Sequence, residues 1–313
     1  MPRTSQGKFV TESAKVFQEG DDYWHQGRYE DARKSYALAA RLYHDDGDDQ
    51  GEAFVLSRLG ELNLSLDDFT EAEKAFKAAA ELVKNKDFAV NTYAEVLIKL
   101  SQVYTASGEV SMAFRTLQAA KEAAESIHNR QLAGDAYEQE AFAYLENNQE
   151  DKALAAYRKA AEMFRAEGIS LKEATVLRAI ARLEMKRKNY DQAHELLERC
   201  RNLYRENGDL LGEASALSAI GCLRYLIRDI YNARKALMKS VYLYGKVSYH
   251  YAEAEALLYL ARVEAFDKEQ GDYERAKLHY RRAAELFDFT GNEMMKNVTL
   301  EEYGNFLNRI QGC

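Results

Sequence analysis

The stretch Ala32-Arg33-Lys34-Ser35-Tyr36-Ala37-Leu38-Ala39 decides the fold, because its pattern keeps returning along the chain. A small residue is followed by a large one at +4 and a small one at +7. The same triplet stands at Ala72/Phe76/Ala79, Ala113/Leu117/Ala120, Ala153/Tyr157/Ala160, Ala193/Leu197/Cys200, Ala233/Leu237/Ser240 and Ala276/Tyr280/Ala283. Successive first positions lie 40, 41, 40, 40, 40 and 43 residues apart. Offsets of four and seven share one face of an α-helix. A fixed period of this length is the signature of stacked structural repeats.

A second series of small residues runs about twelve positions ahead of the first: Gly20, Gly60, Ser101, Ala141, Ala181, Gly221 and Ala261. An aliphatic residue precedes most of them, as in Leu59-Gly60, Leu100-Ser101, Ile180-Ala181 and Ile220-Gly221. Short segments rich in Gly, Asn and Asp separate the two series. They include Gln26-Gly27-Arg28, Leu66-Asp67-Asp68, Ser107-Gly108-Glu109, Asn147-Asn148-Gln149, Lys188-Asn189 and Gln270-Gly271-Asp272. Each period therefore reads as helix A, tight turn, helix B. The small residues mark where paired helices cross closely, and the large residue at +4 is expected to fill the space between one pair and the next.

These residues resemble the tetratricopeptide repeat, whose pattern runs Leu-Gly, a Tyr three positions on, then Ala, Phe/Tyr and Ala on the second helix. The first period keeps Gly20, Tyr23, Ala32, Tyr36 and Ala39; the second keeps Leu59, Gly60, Ala72, Phe76 and Ala79. Two linkers, from Gly47 through Gly51 to Ala53 and from Gly208 through Gly212 to Ala214, read Gly-Asp-x-x-Gly-Glu-Ala. They are similar to the forty-residue repeats of LGN/Pins-type adaptors and Rap-type bacterial regulators. The resemblance implies an all-α, right-handed superhelical solenoid of about seven repeats over residues 13–290. Residues 1–12 are expected to lack order, and residues 291–313 to form a C-terminal capping helix. The proline that closes helix B in the family is missing, since Pro2 is the one proline in the sequence; longer helices are expected to use up the extra residues.

The composition suits this architecture. Leu, Ala, Glu and Lys are abundant, aromatics make up 11% of the 313 residues, and a solenoid is one continuous core whatever its length. Cys200, Cys222 and Cys313 form no disulfide framework, which fits a reducing compartment. With no signal peptide, no apolar run long enough for a membrane span and no lipidation motif, a cytosolic protein is expected. The net charge of −8 is uneven: residues 1–160 carry −9 and the remainder +1. An acidic chain without a basic stripe argues against nucleic acid as partner and favours a basic peptide on the acidic half.

No chemistry-bearing motif is present. The sequence lacks a phosphate-cradling glycine loop, a zinc-protease His pair, a Cys-x-x-Cys and a nucleophile elbow. Asp45-Asp46-Gly47-Asp48-Asp49 resembles the start of a calcium loop, but the alternating ligands and the closing glutamate are absent, so it reads as an acidic turn. No enzyme, metal site or cofactor is expected.

What remains is surface. In the family, helix A lines the concave side, so positions −3, +1 and +4 from its small residue are expected to face a partner. This selects Arg178 and Arg182, which with Lys186 form a ladder at spacing four, and Arg262 two periods later. Arginines on such a wall suit carboxylates and backbone carbonyls of an extended or helical peptide. Phe142 and Trp24 are candidate apolar anchors, and Glu138, Gln102 and Glu61 candidate polar contacts. The clamp with which some relatives hold chaperone tails needs Lys and Asn where this chain has Phe17 and Asp21, so that partner is excluded. The expected function is a non-enzymatic protein-interaction adaptor. The alternatives are a structural subunit bound through its convex face or ends, and a peptide-responsive regulator of the Rap type. The last helix carries Met294, Met295, Val298, Leu300, Tyr303, Phe306, Leu307 and Ile310, a cap that doubles as a possible self-association face.

Overall fold

The structure, a computed structural model, describes residues 11–266 and 272–311. The segment expected to lack order lies outside these residues except for Thr11 and Glu12, as do Gln270, Gly271 and Cys313. Every described element is helical, and the chain divides into two compact units, Met1–Gly168 and Ile169–Cys313.

The first unit contains α1 (Glu12–His25), α2 (Tyr29–Asp45), α3 (Asp49–Ser65), α4 (Phe69–Val83), α5 (Val90–Ala106), α6 (Val110–Ser126), α7 (Arg130–Glu146) and α8 (Glu150–Ala166). The second contains α9 (Ser170–Lys186), α10 (Tyr190–Glu206), α11 (Leu210–Leu226), α12 (Ile230–Lys246), α13 (His250–Phe266), α14 (Tyr273–Phe289) and α15 (Glu293–Gln311). Odd-numbered helices are the A helices and even-numbered ones the B helices. Among the described residues, seven A/B pairs and one further helix make an all-α helical repeat fold, the fold class read from the sequence.

Both turns of the forty-residue period have the same construction. Most helices run 17 residues, as in α2, α3 and α9 to α14. From α5 to α12 each ends on a left-handed residue, and these recur every twenty positions through Gly108, His128, Asn148, Gly168, Lys188, Gly208, Arg228 and Ser248. The following N–H then reaches back to a carbonyl five residues earlier, as Asp48 does to Tyr43 at 2.9 Å and Asp209 to Tyr204 at 3.0 Å. This closure ends each helix without the family's proline. The step of 41 arises where α4 stops early at Val83 and a 3-10 turn, Asp87–Ala89, precedes α5.

The linker phrase Gly-Asp-x-x-Gly-Glu-Ala can be read atom by atom. Gly208 takes the left-handed conformation, and Asp209 caps α11 by accepting from the Gly212 N–H at 2.8 Å. Gly212 leaves room for the Tyr204 ring, whose carbon would lie 2.2 Å from an added Cβ. Glu213 pairs with Lys239 at 2.5 Å, and Ala214 is fully buried. Gly47, Asp48, Gly51 and Tyr43 repeat the arrangement before α3.

All seven small–large–small triplets are buried. The large residue does not merely fill space between pairs, as expected from the sequence; it presses on the small residue of its own A helix. A Cβ on Gly20 would meet Tyr36 at 2.7 Å, one on Gly60 would meet Phe76 at 2.8 Å, and one on Gly221 would meet Leu237 at 2.5 Å. Successive A helices also touch one another, α3 with α5, α5 with α7 and α11 with α13, so within each unit they line the inner side of the stack.

Candidate protein-binding faces

In the first unit the inner face is a chain of alternating charges. The Arg58 guanidinium on α3 bonds Asp21 of α1 at 2.9 Å and Glu61 at 2.7 Å, and it lies 4.7 Å above the Trp24 ring. Glu61 also takes Lys99 from α5. Burial works against the charge of Arg58, but Asp21 and Glu61 outweigh it and hold the guanidinium above its ordinary pKa. Tyr36 donates to Asp21 at 2.5 Å, and burial together with this bond pushes its hydroxyl well up. Trp24 is therefore a half-buried ring, packed edge-on against Tyr36 and covered by Arg58.

Glu61, Gln102 and Glu138, chosen from three different repeats, line one hollow of about 430 Å³ on α3, α5 and α7, together with Glu95, Lys99 and Asp135. Phe142, further along α7, is 43% exposed and rests edge-on against Tyr157 with ring centroids 6.0 Å apart.

In the second unit, Arg178, Arg182 and Lys186 follow one another along the exposed side of α9, with Lys186 its last residue. Arg178 stands near the Tyr204 and Tyr244 hydroxyls and Cys200. Burial raises all three of these pKa values, the Cys200 thiol to about 12, and the Arg178 charge partly opposes the rise. Among the described residues no carboxylate forms an ion pair with Arg178 or Arg182. Arg262 has a different fate. It is half-buried on α13 and held by Glu302 of α15 through two bonds, at 2.6 and 2.8 Å. This pair and Tyr225, Tyr280, Phe306 and Arg309 line a hollow of about 320 Å³.

Residues 12–85 and residues 134–167 match two family models, both described as tetratricopeptide repeat. Those two segments, about a third of the chain, carry the tetratricopeptide pattern. No curated protein matches it. Among solved structures it is similar to aspartyl phosphate phosphatase F from Bacillus subtilis, at 15% identity over 98% of this chain and 97% of that one, with a TM-score of 0.60. It is also similar to the apo quorum sensor NprR from B. thuringiensis, at 12% identity over 94% and 87%, with a TM-score of 0.57. A third is a signal transduction ATPase with a tetratricopeptide repeat sensor from Pyrococcus horikoshii, at 16% identity and a TM-score of 0.63. The match covers 94% of this chain but 47% of that protein. At these identities the likeness is one of fold.

Set in the tetratricopeptide frame, one position of helix A departs from the pattern in both units. The tyrosine expected three residues after the small residue is kept as Tyr23, Tyr104 and Tyr144, but is Asn63 in α3 and Glu184, Arg224 and Glu264 in α9, α11 and α13. In the second unit each replacement is satisfied by a polar partner. Asn189 donates to Glu184 at 2.7 Å, Arg224 meets His194 at 2.7 Å and Asp229 at 3.2 Å, and Glu264 meets His279 at 2.7 Å. Sequence reading passed over these residues, and over Arg58 and Lys99, which lie two positions before the small residue, where the −3, +1, +4 rule does not look. Among the described residues no three His, Cys, Asp or Glu side chains gather as a metal site, and no described helix is long and apolar enough to cross a membrane.

Proposed function

We propose that this repeat protein is a non-enzymatic adaptor that holds a segment of a partner protein against the inner face of its A helices. Arg178 and Arg182 take up the partner's carboxylates and backbone carbonyls. The observation that carries this reading is the contrast among its inner-face arginines. Arg58 and Arg262 already hold carboxylates within the chain, whereas Arg178 and Arg182 are exposed on α9 and pair with none among the described residues. A guanidinium presents a rigid fork of donors, so two of them one helical turn apart form a ready site for an acidic or extended segment. The hollow at Glu61, Gln102 and Glu138 supplies, in the first unit, polar groups of the kind that bind a peptide's basic side chains and amides.

The test is affinity capture from cell extract with partners identified by mass spectrometry. It compares wild type with Arg178→Glu/Arg182→Glu after circular dichroism shows equal helicity. A partner lost with the reversal and retained by the neutral-surface control Lys188→Glu supports the reading. A partner set that survives the reversal refutes it.

A further inference from the structure

The outer side of the B helices follows a common pattern, and at two positions α12 alone departs from it. Counted from the first small residue, position −2 carries Glu30, Thr70, Ser111, Asp151, Asp191 or Glu274 in the other six B helices. Position +9 carries Arg41, Glu81, Glu122, Glu162, Asn202 or Glu285. These are the side chains of a solvated helix face. In α12 the same places hold Tyr231 and Tyr242, 73% and 67% exposed, with Met238 between them at 50%. Tyr231, Lys235, Met238 and Tyr242 stand at intervals of four, three and four. They form one stripe, about 16 Å long, on a single side of the helix.

The charge of α12 departs in the same helix. Its charged residues are Arg234, Lys235, Lys239 and Lys246, with no Asp or Glu, whereas every other B helix carries at least two carboxylates. Elsewhere such carboxylates neutralise lysines one turn away, as Glu71 does Lys74 and Glu274 does Lys277, both at 2.6 Å. On α12 Lys239 pairs with Glu213, while Lys235 and Lys246 form no ion pair among the described residues. A hollow of about 270 Å³ lies beside the stripe, between α10, α11 and α12. Arg201, Arg224, Lys235 and Lys239 line it against one carboxylate, Glu198. Arg201 already holds Glu198 and Arg224 holds Asp229, which leaves the Lys235 ammonium for an incoming acid.

We propose that the outer face of α12 docks an acidic amphipathic helix of a partner protein, its apolar side chains on Tyr231, Met238 and Tyr242 and a carboxylate on Lys235. Tyrosine and methionine are the residues that protein interfaces favour over the rest of a surface, the one rigid and amphipathic, the other adaptable. Charge selects the occupant. The cationic stripe is one helix wide, because α10, which shares the hollow, carries Asp191, Glu195 and Glu206, all exposed. A nucleic-acid backbone or an anionic membrane extends beyond a single helix and would meet those carboxylates. A docked helix of about three turns covers the stripe and stays clear of them. The site is independent of the inner-face reading, because Arg178 and Arg182 lie on the A helix α9.

The probe is a fluorescein-labelled, lactam-stapled helix of about 18 residues with Leu on one face, Glu flanking it and Gln elsewhere. Its binding to the full protein is followed by fluorescence anisotropy, and the oligomeric state by sedimentation velocity. Saturable binding that weakens with salt is expected, reduced about tenfold by Tyr231→Asp/Tyr242→Glu and by Lys235→Glu. The tyrosine substitutions install residues that other B helices carry at the same positions, Asp191 and Glu285, so the fold accommodates them, as circular dichroism checks. The same peptide with Lys in place of Glu is expected not to bind. Absence of binding, equal binding by the variants, or a dimer that Tyr242→Glu dissociates would overturn the proposal. So would tighter binding of single-stranded oligothymidine or of phosphatidylserine vesicles, lost in the same variants. Arg178→Glu/Arg182→Glu is expected to leave the peptide affinity unchanged, so failure here leaves the adaptor reading standing.

Discussion

Replacing Gly60 by alanine sets two effects of opposite sign against each other. In an exposed helix interior this change stabilises by about 1 kcal/mol, because glycine costs backbone entropy. At position 60 the new methyl would stand 2.8 Å from three ring carbons of Phe76, which is itself fully buried. Carbon atoms rest about 3.5–4.0 Å apart, so the ring and its helix must retreat by about 1 Å. That retreat is within reach of the fold, since Ala141 and Ala261 hold the same register opposite Tyr157 and Tyr280. Overpacking of a tight core costs about 2–3 kcal/mol, and the helix-propensity gain leaves a net destabilisation of about 1–2 kcal/mol. Phe76→Leu removes the ring end that the methyl would strike. The double variant is therefore expected to lose less than the sum of the singles, with a coupling of about 1 kcal/mol. Urea unfolding followed by circular dichroism measures the midpoints, and hydrogen exchange in α3 and α4 localises the effect, which is needed because stacked repeats need not unfold in one step. A Gly60→Ala protein more stable than its parent, or strictly additive singles, would refute the close-crossing argument.

Other consequences are equally open to measurement. Lys188 is held at φ 62°, so Lys188→Gly should raise stability by about 0.5–1 kcal/mol; a drop in the urea midpoint would show that the lysine does something else there. Asp209→Ala removes the acceptor for the Gly212 N–H and should cost about 1 kcal/mol, recovered in large part by Asp209→Asn. The Cys200 thiol, pushed up to about 12 by burial, should resist alkylation in the folded protein at mildly alkaline pH and react in urea. The same shift fixes the sign of a pH effect. Above the ordinary thiol range near 9.0 the unfolded chain loses a proton that the folded one keeps, so stability falls as pH rises toward about 12. The fall is expected to be shallower in Cys200→Ala, when thermal midpoints are compared across that window.

The likeness between sequence and fold is closest where the chemistry is local and repeated. Ala32, Tyr36 and Ala39 announce a helix face by spacing alone, and their return announces the stack. Turns carrying Gly or Asn were legible because those residues tolerate a left-handed backbone. Those at Arg228 and Ser248 carry no such signal, and the period imposes their conformation. The candidate site was legible in part. Helix spacing placed Arg178 and Arg182 on one exposed side of α9, and it chose Glu61, Gln102 and Glu138 from three repeats that the fold brings to one hollow.

The sequence by itself determined the helix-turn-helix period, the buried triplets and the number of pairs, because each depends on contacts within some forty residues that recur. Tertiary structure alone decided which charges are spent. Arg58 meets Asp21 across 37 positions and Arg262 meets Glu302 across 40, while Arg178 and Arg182, of the same residue type on the same kind of face, find no carboxylate among the described residues. It also decided that Gly60 and Gly221 lie under a large side chain. Spacing fixes the direction in which a side chain leaves its helix. What it meets there depends on which helices the stack brings alongside.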